Sequence, residues 1–180
     1  GCDGACFAAP QVVVTPPLGN SVRLTDVKVD TAIRISTILE GDMGPLRYTS
    51  HDSTFFQMQS RIALAGCGET DAEGIDEYLS AGGYRGLAEA LSQSPENVIE
   101  KVKASGLRGR GGAYFPAALK WQGVRKSAGE TSYLVVNSEE GEPGIFKDRH
   151  IMEGVPHRMI EGALIAAYAS GARAIFIYVN

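Results

Sequence analysis

The sequence predicts an α/β protein with a mainly parallel sheet, on three observations. From residue 61 onward, helical patterns and strand-like runs alternate along the chain. Two of those runs, SYLVVNS (132–138) and ARAIFIYVN (172–180), are short and rich in β-branched or aromatic residues, as buried strands are. The composition, 44% hydrophobic and 21% charged over 180 residues, is enough to build a real core.

Residues 1–42 form a first block. It opens with GCDGACFAAP, continues through the alternating QVVVTPP, and ends in DVKVDTAIRISTILEGD. In the last segment Val29, Ala32, Ile33, Ile35, Ile38 and Leu39 predict an amphipathic helix, so the order expected is Cys loop, strand, turn, helix. Residues 43–60 lack periodicity and read as a linker packed by its aromatics. RIALAGCGETD then leads into a helix N-capped by Thr70 or Asp71 and stopped by Gly82, with Cys67 in an apolar strand-to-helix corner. YRGLAEALSQ is a second helix. SPENVIEKVKASG is a third, with Ser94 as N-cap, Pro95 at its first position and Gly106 closing it. Further helices are expected from Pro116 (PAALKWQGVRK), over IFKDRHIME, and over 156–171 (PHRMIEGALIAAYASG). EEGEPG is a turn.

Several function classes are disfavoured at once. A net charge of −4 gives no general attraction for a phosphate backbone, so nucleic acid is not an expected partner. Runs such as ALIAAYA are far shorter than the roughly 18–20 apolar residues that span a bilayer, and no signal-peptide pattern is present. Three cysteines, Cys2, Cys6 and Cys67, are too few for a disulfide framework and favour a reducing, cytoplasmic setting. The chain starts at Gly1 and stops just after a strand, where α/β sheets place their chemistry; this reads as part of a longer protein.

Two stretches carry chemistry. GLRGRGGAYFPAALKW (106–121) places four glycines and two arginines in its first seven residues. It has no G-x-x-x-x-G-K-[ST] spacing. The G-x-G-x-x-G pattern from Gly109 meets Tyr114 where its third glycine belongs, and it follows a helix rather than a strand. Two readings remain: a cradle whose amide groups turn toward an anion, with Arg108, Arg110 and Lys120 adding charge, or a Gly-rich connector between helices. The second stretch, NSEEGEPGIFKDR (137–149), follows a strand and packs Glu139, Glu140 and Glu142 into four residues. Carboxylates that close repel one another unless amide donors, cations or ligand hydroxyls face them. His150 and His157 have no metal-ligand spacing, and His157 is expected to cap or pack.

Together, SGLRGRGGAYFPAALKW, YLVVNSEEGEPGIFKDRHIMEG and PHRMIEGALIAAYASGA resemble the flavin-binding, NADH-oxidising subunit of respiratory complex I and of NAD-linked hydrogenases and formate dehydrogenases. The resemblance covers roughly residues 55–180. Residues 1–42 resemble the C-terminal part of a thioredoxin-like [2Fe–2S] domain. The fold implied is a Rossmann-like FMN-binding domain (61–180), its N-terminal part only, behind that thioredoxin-like portion and the 43–60 linker. The activity implied is hydride transfer from NADH to FMN, then one-electron transfer to the iron–sulfur clusters of a larger complex.

Carried over by motif position, Gly109, Arg110, Gly111, Gly112 and Ala113 would cradle the FMN phosphate and the adjoining NADH. Lys120, Asn137 and Glu139 would contact FMN, and Phe115 would stack on the adenine. Glu142 would lie against the nicotinamide, with the Glu140–Gly141 peptide near the isoalloxazine. Cys2 and Cys6 match the second half of a four-Cys [2Fe–2S] site, and a [4Fe–4S] site is expected downstream of Asn180. Iron–sulfur subunits of a hydrogenase, formate dehydrogenase or complex I-like assembly are the implied partners. The chain departs from the family at Tyr114, where glycine is usual, at Ala117–Ala118 for Thr-Gly, at Glu139 for Asp, and at Gly123 for a larger apolar residue. Those departures admit another reading: a degenerate module kept for docking or electron conduction without NADH oxidation.

Overall fold

The computed structural model describes residues 9–14, 22–33, 35, 58–69, 71–127 and 131–180. Cys2, Cys6, Ile38, Leu39 and Thr70 lie outside the described residues, as does most of the expected linker. Two compact units are present, one within Gly4–Ala65 and one within Gly66–Asn180.

In the first unit, strand β1 (Val12–Val14) pairs antiparallel with β2 (Val22–Leu24), with Val12 opposite Leu24. Val14 and Leu24 are buried, and Val12, Val27 and Ile35 pack on them. The sequence reading missed β2, because three residues are too few to display a period. Helix α1 (Val29–Ile33) forms within the expected segment, but Val29, assigned to its apolar face, is 82% exposed. Val27 and Ile35 occupy the space beside the strands, which leaves position 29 to solvent.

The second unit opens with turns, not with the strand expected ahead of Cys67. Gly66 and Gly68 both have positive φ, and the Glu69 N–H reaches the Gly66 carbonyl at 3.1 Å, so the chain curls where a strand would extend. Cys67 is nonetheless buried, its Sγ 3.5 Å from the His150 carbonyl. Helix α2 (Ile75–Ser80) starts four residues beyond the expected cap at Asp71. The Asp71 carboxylate accepts the Glu73 N–H, and Glu77 reaches back to the Asp71 N–H. These side-chain bonds hold 71–74 as a turn.

Gly82 stops α2 as expected, with φ +88. Its N–H bonds the Leu79 carbonyl and that of Gly83 bonds Tyr78, which satisfies the carbonyls of the last turn. Gly83 also lies against the Tyr78 ring: a Cβ there would sit 2.1 Å from Cδ1. Gly83→Ala is therefore expected to lower stability by about 1–3 kcal/mol, read by chemical denaturation. A change within 0.5 kcal/mol would mean that the ring moves freely.

Helix α3 (Arg85–Leu91) is followed by α4 (Pro95–Ala104), whose Ser94 cap accepts the Asn97 N–H at 3.3 Å. After the glycine loop come α5 (Ala117–Ser127), β3 (Ser132–Asn137), α6 (Lys147–Gly154), α7 (Pro156–Ser170) and β4 (Ala172–Tyr178). β3 and β4 run parallel, with Leu134 beside Ile175 and Asn137 beside Tyr178, which bears out the expected parallel arrangement.

Helix α7 contacts both strands as well as α3, α4, α5 and α6. It can do so because Ala163, Ala166, Ala167 and Ala169 are buried and their small side chains let neighbouring backbones approach. Ala90, Val98, Ile99 and Ala118 join Ala169 in the main core, with Trp121, Ile165 and Tyr168 around them. Among the described residues no helix is long and apolar enough to cross a membrane.

Candidate functional site

The glycine loop leaves α4 through Gly106, whose φ of +70 turns the chain out of the helix. Its base is pinned like a short hairpin. The Gly109 N–H donates to the Phe115 carbonyl at 2.9 Å and the Ala117 N–H to Leu107 at 3.0 Å, with Arg108 bridged to Pro116. Residues 110–115 beyond that base are exposed, as is Lys120 on α5. A Cβ added at Gly111 or Gly112 would meet no atom within 4 Å, so both backbones face open space.

The arginines are engaged inside the loop. Arg108 Nη1 donates to the Tyr114 carbonyl at 3.2 Å and Arg110 Nη1 to the Arg108 carbonyl at 3.1 Å. Arg110 Cζ lies 5.4 Å from the centre of the Tyr114 ring. Tyr114 itself has φ 54, the left-handed conformation that favours glycine. The residue is 59% exposed, so its ring stands at the loop surface beside Arg110.

The acidic loop follows β3 at the end of the parallel pair, where open α/β sheets hold ligands. The Ser138 N–H donates to the Tyr178 carbonyl at 2.9 Å, extending the sheet into the loop. Asn137 Oδ1 accepts the Glu139 N–H at 3.3 Å. The Glu139 carboxylate lies over Gly141, where a Cβ would come within 2.2 Å of Oε1. The backbone at 141 is outside the positive-φ region, and a side chain there would have to displace the flexible Glu139 carboxylate. Pro143–Gly144, with Gly144 at φ +80 and the Ile145 N–H bonded to Glu142, makes the corner that returns the chain to α6.

The carboxylates of this loop divide their work. Glu140 accepts the backbone N–H groups of Asp148 and Arg149 and so caps the start of α6, a role the sequence did not suggest. Lys147 answers part of the charge. Its hydrogen bond to Asp148 raises the ammonium pKa against burial, and the Glu140 and Glu142 charges add to the rise.

A cleft of ≈ 460 Å³ at this end of the strands is lined by Glu140, Phe146, Arg149, Met152 and Asn180 among others. Of the predicted site residues it contains Glu140. The structure thus brings Asn137, Glu139 and Gly141 together. Among the described residues, no ion pair joins the arginines of the glycine loop to the glutamates of the acidic one. Nor does any group of His, Cys, Asp or Glu there have the arrangement of a metal site.

Sequence reasoning also missed a cluster between α2, α3 and α7. Glu161 accepts from the Tyr78 hydroxyl at 2.5 Å and from the Tyr84 and Leu87 N–H groups at 2.9 and 3.0 Å. Burial pushes its carboxyl pKa up, but the hydrogen bonds from Tyr78, Tyr84, Leu87 and Gly86 outweigh it and hold it below the usual range. Burial, then the bond to Glu161, pushes the Tyr78 phenol up to about 12. His157 stacks on Tyr78 and lies 3.0 Å from the Tyr84 hydroxyl, so it packs as expected. The one sequence signal was a lone carboxylate in the largely apolar run from Met159 to Ala169.

Both loops, with the strands and helices that hold them, lie inside a single stretch that matches a family model described as the Nuo51 FMN-binding domain, over residues 102–180. Residues 102–180 belong to the Nuo51 FMN-binding domain family. Around this Nuo51 segment the chain is 50% identical over 111 residues to a component of the NADH-quinone oxidoreductase of Rhizobium meliloti (strain 1021), covering 61% of this chain and 26% of that protein. It is 43% identical over 128 residues to the HndC component of the NADP-reducing hydrogenase of Solidesulfovibrio fructosivorans, covering 71% and 26%. Among solved structures, an air-oxidized NAD+-reducing [NiFe]-hydrogenase superposes with a TM-score of 0.50 at 27% identity, over 99% of this chain and 29% of that one. The chain spans about a quarter of the length of the curated relatives it matches.

Proposed function

We propose that this chain carries the flavin- and nicotinamide-facing part of an NADH-oxidising subunit that feeds electrons to iron–sulfur clusters in a larger assembly. The observation that carries the reading is the glycine loop. It lies within the Nuo51 stretch, its Gly111 and Gly112 backbones face open space that any side chain would fill, and two arginines stand beside them. When bound, FMN supplies the chemistry of accepting a hydride from NADH and passing electrons on singly.

The chain's own part is to bind and orient. Gly109, Arg110, Gly111, Gly112 and Ala113 hold phosphate, and Lys120, Asn137 and Glu139 contact the flavin. Phe115, 54% exposed, is free to stack on an adenine, and Glu142 positions the nicotinamide. Glu140 acts in this reading through the backbone it fixes, since its oxygens already accept the α6 amides.

The finer organisation belongs to the same proposal. Residues 61–180 are the N-terminal part of a Rossmann-like domain. The parallel β3–β4 pair supports this, as do Tyr133, Val135, Phe176 and Tyr178, exposed along one of its faces as a sheet awaiting cover would leave them. Residues 1–42 belong to a thioredoxin-like domain in which Cys2 and Cys6 ligate a [2Fe–2S] cluster, joined by a 43–60 linker, and a [4Fe–4S] cluster lies further along the protein. The assembly works in the cytoplasm or at the cytoplasmic face of a membrane complex. Purified anaerobically, the intact protein is expected to show flavin absorption that bleaches on adding NADH. Absence of flavin even after reconstitution with FMN would overturn the proposal.

A further inference from the structure

We infer that Tyr114 is a positioning residue for Arg110, setting the glycine loop's phosphate-binding cation in place before ligand arrives; this rests on the function proposed above. Three contacts close a ring within the loop. The Tyr114 carbonyl accepts Arg108 Nη1, the Arg108 carbonyl accepts Arg110 Nη1, and the Arg110 guanidinium lies 5.4 Å from the Tyr114 ring centre. The links bear on one another because they sit beyond the pinned base, where a Cβ added at Gly111 or Gly112 would meet no atom within 4 Å.

The backbone of Tyr114 sits at φ 54, so the residue follows the turn that a glycine would make there. What it adds is the ring. A glycine would leave the Arg110 side chain to sample its rotamers in water, whereas an aromatic face within about 6 Å attracts a guanidinium. Arg110 gives one N–H to Arg108 and keeps about four of its roughly five donors for a ligand. A planar cation held in this way suits the oxygens of a doubly or singly charged nucleotide phosphate. That phosphate could be the one on FMN or the pyrophosphate of the dinucleotide, and binding measurements separate the two.

The experiment uses the intact protein and measures dissociation constants for FMN and, on the FMN-loaded form, for ADP-ribose. The variants are Tyr114→Phe, Tyr114→Asn, Tyr114→Gly, Arg110→Gln and the Arg110→Gln/Tyr114→Asn pair. Tyr114→Phe keeps the ring and is expected to bind as the parent does. Tyr114→Asn accommodates the positive φ without the ring, so it separates backbone from ring. It and Tyr114→Gly are expected to weaken one of the two ligands about two- to fivefold. The double variant is expected to bind no worse than Arg110→Gln alone, the non-additivity of one shared contact. The ligand that weakens identifies the phosphate. Unchanged or tighter binding in Tyr114→Asn, or effects that multiply in the pair, would overturn the inference while leaving the function intact. A parent protein that binds neither ligand would overturn the function itself, and the role of Tyr114 with it.

Discussion

Gly111→Val is expected to fold as the parent does and to lose its flavin. Position 111 is outside the left-handed region and a Cβ there meets nothing within 4 Å, so the empty fold has no objection to a side chain. Stability should stay within about 0.5 kcal/mol, the range of surface substitutions. The added isopropyl group would stand where the backbone must approach a phosphate closely, and FMN affinity should fall about 100-fold or more, equivalent to about 2.7 kcal/mol. Gly112→Ala makes the contrast. Its φ of +97 strains any L side chain, so that variant should lose about 1–2 kcal/mol of stability as well as affinity. Thermal unfolding of the flavin-free protein together with an FMN titration reads both quantities. A Gly111→Val protein that binds FMN normally would show that the loop is a connector, the other reading of its glycines.

Glu161→Ala is expected to cost about 3 kcal/mol and roughly 10 °C in melting temperature. The Tyr84 side chain makes no cap bond to α3, so Glu161, reaching across from α7, supplies what the N-terminus lacks. Its removal leaves those N–H groups and the Tyr78 hydroxyl without their acceptor. Glu161→Gln keeps one acceptor oxygen and should lose about half as much.

The pH dependence follows with opposite signs at the two ends. The Glu161 pKa is depressed by folding, so its contribution is complete above the ordinary carboxylate value and is lost as pH falls through the depressed folded value. The Tyr78 pKa is raised, so its contribution is complete below the ordinary phenol value of 10.0 and is lost as pH climbs toward about 12. Unfolding curves across pH for the parent and Glu161→Gln should therefore converge in acid. Parallel curves would mean that the carboxylate's charge does not matter to the cap.

Ser94, Pro95, Gly82, Gly106 and the paired runs at 132–138 and 172–180 were legible in the sequence. Each is a local signal: a cap, a turn residue or a run of β-branched side chains is interpreted by backbone within a few residues of itself. The two loops were legible for the same reason, since a glycine cluster and a carboxylate cluster are local departures from ordinary composition. The late start of α2 escaped because side chains of Asp71 and Glu77 competed with the helix for its first amides.

Other features could be decided only by tertiary structure. Tyr78 and Tyr84 lie 83 and 77 residues from Glu161, and no pattern along the chain encodes a helix capped from another helix. Glu140 resembled its two neighbours until α6 folded against it. Tyr114 read as an intruder among glycines, and only the closed loop set its ring beside Arg110. Local backbone preferences settle which segments become helices, strands and turns. Which charged group faces which amide or ring depends on how those segments are brought together, and that is fixed by burial of apolar surface across the whole unit.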